Sequence, residues 1–245
     1  MTGRFWDRLV PLLDGCEDGN VLAVDMPGRR GKPTPEGGLG AITVDFEVES
    51  VLADLEAAAL PEPIIVVAHS SGGLAVPGVV AGLVARGVEV SAIVLNAASV
   101  PPEGGCGLDC MRERHAEGVR LAYEMADGDP DKLVVLGMPS DLEKFRASYG
   151  GDPLDDETLE WILDPERLVE DSMNLYFQPV HWSQLPDGIP ITYVVNTLDR
   201  AMPADKQEEM AARLPGSPKV VHLESGHIPP VTDPVGFAEL LRNLV

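Results

Sequence analysis

The chain has few basic residues and few cysteines, and each shortage excludes a class of protein. Only 18 of its 245 residues are lysine or arginine against 40 aspartates and glutamates, so the formal net charge is −22. Such a field repels phosphate backbones and anionic lipids, and we therefore expect neither nucleic-acid binding nor membrane binding. Three cysteines in a chain of this length indicate a reducing compartment rather than a disulfide framework.

Motifs for cofactors and for membrane insertion are also missing from the sequence. It contains no Gly-x-Gly-x-x-Gly or phosphate-loop motif, and Cys106 and Cys110 near His115 lack the spacing of a zinc site, so we expect no cofactor and no metal. The first residues hold no apolar signal-peptide core, and glycine and proline break the longer apolar runs. We expect a cytoplasmic protein, a monomer or a homodimer, that binds a small-molecule substrate.

Short apolar runs alternate with helical patterns along most of the chain. Uninterrupted apolar runs predict buried strands at residues 21–24, 64–68, 90–95, 191–196 and 219–223. Strands of this kind, separated by helices, indicate an α/β protein with a mostly parallel sheet covered on both faces. Ligands bind at the carboxyl ends of the strands in such sheets.

Residues 101–186 interrupt this alternation with helix-like stretches joined by loops. Between residues 101 and 190 there are 20 acidic and seven basic residues, so this part carries more than half of the net charge. A long helical insertion between two strands often lies over the active end of a sheet, although it can also be a peripheral addition. We therefore divide the chain into the first part of an α/β core (1–100), a helical cap (101–186) and the second part of the core (187–245).

The strongest local motif is Ala68-His69-Ser70-Ser71-Gly72, between a predicted strand and an apolar helix. Small residues at Ala68 and Gly72 would let the backbone turn sharply and would hold Ser70 in a strained conformation that exposes its hydroxyl. If Ser71 were the nucleophile, His69 would occupy the position that needs a small residue. Ser70 is therefore the better candidate.

A serine nucleophile needs a base, and the base needs an acid that orients it. His227 lies in a loop just after the last predicted strand, whereas His222 lies inside that strand. Asp199 follows the fourth predicted strand, and Asn96, which follows the third, cannot act as an acid. The candidates therefore occur along the chain in the order Ser70, Asp199, His227.

These motifs resemble those of the α/β-hydrolase superfamily, whose triad has the same chain order. Residues 21–28 are similar to the family's strand ending in Asp-x-Pro-Gly, and residues 226–227 match its Gly-His loop. The resemblance covers residues 5–100 and 189–245, and it is nearest to single-domain esterases and the hydroxynitrile-lyase-like group. It implies the α/β-hydrolase fold, a mostly parallel sheet flanked by helices with a helical cap insertion.

The resemblance also implies a serine hydrolase that cleaves a small neutral ester, lactone or related acyl substrate through an acyl-enzyme. Ser70 would attack the carbonyl, His227 would transfer its proton, and Asp199 would hold the imidazole in the productive tautomer. The Ser71 amide, together with a backbone amide near Gly3, would stabilise the oxyanion.

Several aromatic or imidazole side chains are candidates for the substrate pocket. The candidates are His69, which precedes Ser70, and, in the predicted cap, Trp161, His181 and Trp182. Packing within the cap or exposure on its surface is the alternative for these cap residues.

One departure from the family pattern bears directly on activity. Family members have one or more strands and a His-Gly loop before the segment that holds Phe5 and Trp6, and that loop supplies an oxyanion amide. This sequence has no His-Gly pair and begins within the loop, with Gly3 as its remnant. Losing one such donor costs about 10²–10³ in rate, so a truncated, non-catalytic ligand-binding protein is one alternative. Lyase or C–C bond hydrolase chemistry on the same triad is the other, because the cap decides the substrate.

Overall fold

A parallel sheet of four strands forms the centre of the fold in the computed structural model, which describes residues 1–13, 20–135, 138–151 and 154–244. The strands of this sheet are, in spatial order, β1 (Ile64–His69), β2 (Val90–Asn96), β5 (Ile191–Asn196) and β6 (Lys219–Leu223). A separate antiparallel pair joins β3 (Val134–Val135) to β4 (Asp171–Ser172). The predicted class, α/β with a mostly parallel sheet, is confirmed.

Helices cover both faces of the sheet. The α-helices of the described residues are α1 (Val44–Ala58), α2 (Val76–Ala85), α3 (Glu113–Ala126), α4 (Leu142–Ser148), α5 (Asp156–Leu163), α6 (Ala204–Ala211), α7 (Pro229–Thr232) and α8 (Pro234–Arg242). Short 3-10 helices span Gly3–Trp6, Val10–Leu12, Leu39–Ala41, Ser70–Leu74, Gly107–Cys110, Pro130–Lys132, Asn174–Phe177 and Trp182–Gln184. None of the described helices is long and apolar enough to cross a membrane.

Alternate side chains of the central strands pack against opposite helical layers. Tyr193 of β5 belongs to the core that includes α1 and α2, whereas its neighbour Val194 packs with Phe237 of α8. Every residue of β5 is buried, as expected for a strand with a neighbour on each side and helices on both faces. The outer strands are more open, because Ile65 of β1 is 40% exposed and Val220 of β6 is 42% exposed.

The prediction of a buried strand at residues 21–24 is wrong. Residues 21–24 run without a helix, turn or bend, but they form no strand ladder with any described residue. A β-strand needs a hydrogen-bonded neighbour, and the outer edge of β1 does not supply one to this run. Residues 21–24 and β1 instead line a common cavity of about 660 Å³. The apolar composition of residues 21–24 therefore goes with partial burial, but it does not provide a hydrogen-bonded neighbouring strand.

Residues 101–186, here called the cap segment, leave the main sheet between β2 and β5, which pair directly with each other. The segment holds α3, α4 and α5 together with the β3–β4 pair. It is bonded to the chain's first residues, since Thr2 donates from its amide to the Arg167 carbonyl at 2.9 Å and from its hydroxyl to the Glu166 carbonyl at 2.6 Å. A second tie is the ion pair between buried Arg29 and Asp171, at 2.7 Å. The division of the chain at residues 100 and 186 stays a prediction.

Glu47 of α1 is a buried acid beside this ion pair. Burial, and to a lesser degree the Asp171 carboxylate, raise the pKa of Glu47 to about 8, while Arg29 acts in the opposite direction. At neutral pH the folded protein therefore holds Glu47 in its protonated form. The unfolded chain ionises it, because the pKa returns to its usual value of 4.5.

Replacing Glu47→Gln is expected to raise the melting temperature more near pH 8 than near pH 5. The folded-state pKa lies above the unfolded value, so the stability that wild-type Glu47 contributes is complete at low pH and declines as pH rises from 4.5 towards about 8. Thermal unfolding of both proteins across this range measures the difference. Glu49→Gln is the control, because the Glu49 side chain is 75% exposed. A Tm difference for Glu47→Gln that stays constant with pH would contradict the effect of burial.

Candidate active site

Ser70 lies at a sharp turn between β1 and the 3-10 helix Ser70–Leu74, which leads into α2. Its φ of 52° falls in the left-handed region, where a residue with a side chain is strained. The Ser99 amide donates to the Ser70 carbonyl at 2.8 Å and so ties this turn to the loop after β2. The strained turn predicted from the sequence is confirmed.

The glycine that this turn requires is Gly73 rather than Gly72. A Cβ at Gly73 would lie 2.5 Å from the Ser99 carbonyl oxygen, whereas a Cβ at Gly72 would meet nothing within 4 Å. The prediction that the small size of Gly72 permits the turn is therefore wrong. The turn approaches the loop that follows β2 most closely one residue later, at Gly73.

His227 joins Ser70 to Asp199. The Ser70 Oγ lies 3.1 Å from His227 Nε2, and His227 Nδ1 lies 2.6 Å from Asp199 Oδ2. The carboxylate can only accept, so the imidazole proton lies on Nδ1 and Nε2 is left to accept from the Ser70 hydroxyl. Along the chain, His227 is 157 residues from Ser70 and 28 residues from Asp199, and the fold brings the three side chains together.

Asp199 is held by more than the histidine. Its Oδ1 accepts from the Met202 amide at 2.8 Å, and its Oδ2 accepts from Gln207 Nε2 at 3.1 Å. Gln207 lies on α6, has no exposed surface, and accepts from the Asn196 amide at 2.8 Å through its Oε1. Gln207 is not among the site residues predicted from the sequence. The available signal was its position three residues before buried Met210 on the same face of α6.

Two buried asparagines extend this network across the carboxyl ends of the strands. Asn96 of β2 donates from Nδ2 to Asn196 Oδ1 of β5 at 2.8 Å, and neither residue has exposed surface. At the end of β1, His69 Nδ1 lies 3.1 Å from Asn96 Oδ1 and 3.0 Å from the Asn96 carbonyl oxygen. Asn196 Nδ2 donates to the His227 carbonyl at 3.4 Å. Three neighbouring strands are therefore joined by side chains directly below the triad.

His69 packs between two rings and lines the cavity that holds Ser70. The Phe5 ring stacks on it with centroids 5.1 Å apart, and the His227 ring lies 4.7 Å away. Burial, and then the neighbouring His227, lower the pKa of His69 to about 3. His69 is therefore neutral, and its Nδ1 donates to Asn96.

The three candidate pocket residues of the cap segment do not line this cavity in the described part of the chain. The guanidinium groups of Arg8 and Arg167 lie over the Trp161 ring, 4.8 and 4.2 Å from its centroid. His181 is exposed, and Trp182 is buried in the core beside α2. The alternatives therefore apply, packing for the two tryptophans and surface exposure for His181.

Tyr149 of the cap segment borders the cavity beside His227. Its carbonyl accepts from the His227 amide at 2.6 Å, and its ring lies 6.1 Å from the imidazole. Two residues on, the Gly151 amide donates to the Leu198 carbonyl at 3.1 Å. This stretch of the cap segment therefore packs, backbone to backbone, on the loops that carry the acid and the base.

The Gly3 amide, the predicted second oxyanion donor, already has an acceptor. It donates to Asp25 Oδ1 at 2.8 Å, and a Cβ at Gly3 would lie 2.5 Å from the Ala23 carbonyl oxygen. Ser71 lines the cavity next to Ser70.

No group of three or more metal-ligating side chains is arranged for an ion among the residues that the structure describes. Cys110 is buried and Cys106 partly so, and burial raises the pKa of the Cys110 thiol to about 12. A thiol with so high a pKa is a poor ligand and a poor nucleophile, because both roles require the thiolate.

The comparison with protein families decides the family. The model described as the alpha/beta hydrolase family matches residues 1–240. The chain belongs to this family. It is accordingly an enzyme of the hydrolase type. A search of curated protein sequences finds no match.

Solved structures of several α/β-hydrolases have a similar fold. An extracellular alpha/beta-hydrolase from a Paenibacillus species is 18% identical with a TM-score of 0.76, and the match covers 99% of this chain and 94% of that one. A pyrethroid hydrolase from Sphingobium faniae JZ-2 is 21% identical with a TM-score of 0.71, over 99% and 92%. A methylesterase from Arabidopsis is 18% identical with a TM-score of 0.63, over 99% and 93%. At these identities the likeness concerns the fold of the family.

Replacing Gln207→Leu is expected to lower the free energy of unfolding by about 1–3 kcal/mol, because buried groups of Asn196 and Asp199 each lose a partner. Urea denaturation measures this loss. Lys206→Ala is the matched control on the same helix, since it removes only a pair with Glu209 near the surface and should cost less than about 1 kcal/mol. A loss for Gln207→Leu no larger than the control's would contradict the role assigned to Gln207.

Proposed function

We propose that the protein is a serine hydrolase that cleaves small, neutral, fairly apolar esters or lactones through an acyl-enzyme. The proposal rests on one observation, the chain of contacts from Ser70 Oγ to His227 Nε2 and from His227 Nδ1 to Asp199 Oδ2. A nucleophile, a base and an orienting acid within hydrogen-bond reach are the arrangement that acyl transfer requires. The strained backbone of Ser70 adds support, because it is the nucleophile's conformation in this fold.

The reaction uses each member of the triad for one task. Ser70 attacks the substrate carbonyl carbon while His227 Nε2 accepts the hydroxyl proton and then passes it to the leaving group. Asp199 keeps the second imidazole proton on Nδ1 and stabilises the imidazolium that forms. Water then attacks the acyl-enzyme with His227 again acting as the base, which releases the acid and restores Ser70.

The oxyanion receives its hydrogen bond from the Ser71 amide, the first N–H after the nucleophile. The Gly3 amide is occupied by Asp25 and is therefore not assigned this task. Removal of one oxyanion donor lowers kcat by about 10²–10³ in enzymes that use two.

The ester class is supported by the lining of the cavity and by the similar structures. Around Ser70 the lining includes Phe5, Tyr149 and Ile228, which favour an apolar acyl or alcohol group. The net charge of −22 disfavours anionic substrates. Proteins of similar fold carry the names pyrethroid hydrolase, methylesterase and esterase.

Ser70→Ala is expected to abolish both labelling by a fluorophosphonate and turnover of p-nitrophenyl butyrate, because the attacking oxygen is gone. Ser71→Ala keeps the backbone amide and should still be labelled, which identifies the nucleophile among the two adjacent serines. Mass spectrometry of the labelled protein locates the adduct. Full turnover by folded Ser70→Ala would rule out the proposed nucleophile.

Asp199→Asn is expected to lower kcat for p-nitrophenyl butyrate by about 10³–10⁴, because the amide no longer holds the imidazole in the tautomer that accepts from Ser70. KM should change far less, since Asp199 does not face the cavity. Asp205→Asn, in the first turn of α6, is the control and should retain wild-type turnover. Equal kcat values for Asp199→Asn and the control would exclude Asp199 as the triad acid.

Non-catalytic ligand binding is a second candidate, favoured by the bond between the Gly3 amide and Asp25. The same labelling experiment separates the two. Folded wild-type protein that takes up no fluorophosphonate, yet binds a neutral ester in calorimetry, would support binding without turnover.

A further inference from the structure

Gln207 contacts the triad acid through a side chain to which the proposed reaction gives no task. The side chain has no exposed surface and reaches from α6 to the loop that carries Asp199. Its Oε1 accepts from the Asn196 amide at 2.8 Å. A backbone N–H can only donate, so the atom at this position is the amide oxygen, and the other atom is the NH2 group. Gln207 therefore faces Asp199 as a donor.

The Gln207 amide and the base share one acceptor atom. Gln207 Nε2 lies 3.1 Å from Asp199 Oδ2, and His227 Nδ1 lies 2.6 Å from the same oxygen. The other oxygen, Asp199 Oδ1, accepts from the Met202 amide at 2.8 Å. The Asp199 side chain has no exposed surface, so these protein donors take the place of water around the carboxylate. Two of them meet at the oxygen that orients the base.

The two hydrogens of Gln207 Nε2 have more than two acceptors. Besides Asp199 Oδ2, the nitrogen lies 2.6 Å from the Met202 carbonyl oxygen and 3.2 Å from the Asn196 carbonyl oxygen. Only the carboxylate is charged, and hydrogen bonds to a charged acceptor are about twice as strong as those between neutral groups. The contact with Asp199 is therefore the one whose strength depends on the charge state of the triad.

The charge of the Asp199 carboxylate couples Gln207 to the base. While His227 is neutral, the negative charge of Asp199 is not compensated, and the carboxylate accepts most strongly from Gln207. When His227 becomes an imidazolium, it neutralises part of that charge and the bond from Gln207 weakens. The bond thus stabilises the state with a neutral imidazole more than the state with an imidazolium. The neutral imidazole is the state that accepts the Ser70 proton.

We propose that Gln207 is a positioning residue that extends the working range of the base towards lower pH by sharing Asp199 Oδ2 with His227. The inference rests on the proposed function, because it assigns a task within the triad. The rest of the protein acts in the opposite direction, since a net charge of −22 favours the protonated form of every basic side chain. The Gln207 amide offsets this tendency at the triad without adding a charge.

Other titratable side chains packed around the triad stay neutral in the pH range where a histidine base works. Burial, and then His227, lower the pKa of His69 to about 3. Burial raises the pKa of Tyr149 in the cap segment and of Tyr193 on β5 above the usual value of 10. These groups therefore do not change their charge when the imidazole gains its proton.

The charged neighbours of Gln207 and Asp199 along the chain lie nearer the surface. Arg200 is exposed, and Lys206 pairs with Glu209, whose side chain is 50% exposed. Glu208 pairs with His222, and both side chains are more than half exposed. Solvent screens such charges, so they act on the buried triad less than a direct hydrogen bond does.

The test compares the pH dependence of kcat/KM for p-nitrophenyl butyrate in wild-type protein and in Gln207→Met, which keeps the side-chain length and removes the donor. We expect the midpoint of the acidic limb to rise by about half a pH unit or more, because the unshared carboxylate holds the imidazolium more strongly. At a fixed pH on that limb, kcat/KM relative to its plateau then falls about threefold or more.

Met210→Leu is the matched control on the same helix. Met210 has no exposed surface, and its sulfur accepts from the Val100 amide at 3.4 Å. The variant therefore removes a buried acceptor from α6 but leaves the donors of Asp199 in place. It should leave the midpoint of the acidic limb where it is in wild-type protein, even if it lowers stability.

A second measurement needs neither a variant of Gln207 nor turnover. In nuclear magnetic resonance of wild-type protein labelled with nitrogen-15, the side-chain amide of Gln207 should shift with pH along the same curve as the imidazole nitrogens of His227. The side-chain amide of Gln184, which is exposed on the cap segment, should not follow that curve. This readout keeps the test decisive if circular dichroism shows that Gln207→Met does not fold.

Two results would overturn the proposal. The first is a midpoint that folded Gln207→Met leaves unchanged or moves to lower pH, or that Met210→Leu raises equally. The second is a Gln207 amide that does not follow the titration of His227 in folded wild-type protein. Failure of the proposed function looks different, because Ser70 would then take up no fluorophosphonate. The resonance measurement would still show whether Gln207 and His227 are coupled through Asp199.

Discussion

The hydrogen bond between the side chains of Asn96 and Asn196 holds together the edge of the sheet on which the candidate site depends. It joins the carboxyl ends of the two central strands in a fully buried place, where an unpaired amide would cost about 1–3 kcal/mol. From Asn96 the network reaches His69, and from the Asn196 backbone it reaches Gln207. The two asparagine side chains thus join the strands that lead to the site, and this fixes the positions of Ser70, His227 and Asp199 relative to one another. Buried polar networks of this kind are rigid when every member is hydrogen-bonded.

Much of the core and of the triad could be predicted because the relevant signals are local. The apolar runs of β1, β2, β5 and β6 each predict a buried strand without reference to the rest of the chain. Ser70 stands directly after one of these strands, and Asp199 and His227 stand directly after two others. Parallel strands place their carboxyl ends at one edge, so residues distant along the chain come together there.

The remaining features depend on which segments meet, and composition does not contain that information. Gln207 is typical of an exposed helix position, yet it is buried against Asn196 and the loop that carries Asp199. Trp161 would suit a substrate pocket equally well, but two guanidinium groups lie over its ring. Residues 21–24 have the composition of a strand, yet pairing needs a neighbour at hydrogen-bond distance. Gly72 and Gly73 look alike in the sequence, and only the approach of Ser99 separates their roles.

The attachments of the cap segment make it part of the site's framework. Tyr149 binds the backbone of His227, Asp171 pairs with Arg29, and Thr2 is bonded to Arg167. Thr2 is also three residues from Phe5, whose ring rests on His69. A rigid rotation that lifted this segment would pull on the base and on the ring that supports its neighbour at the same time. The segment is therefore tied to the site itself, and lifting it would first have to break these bonds.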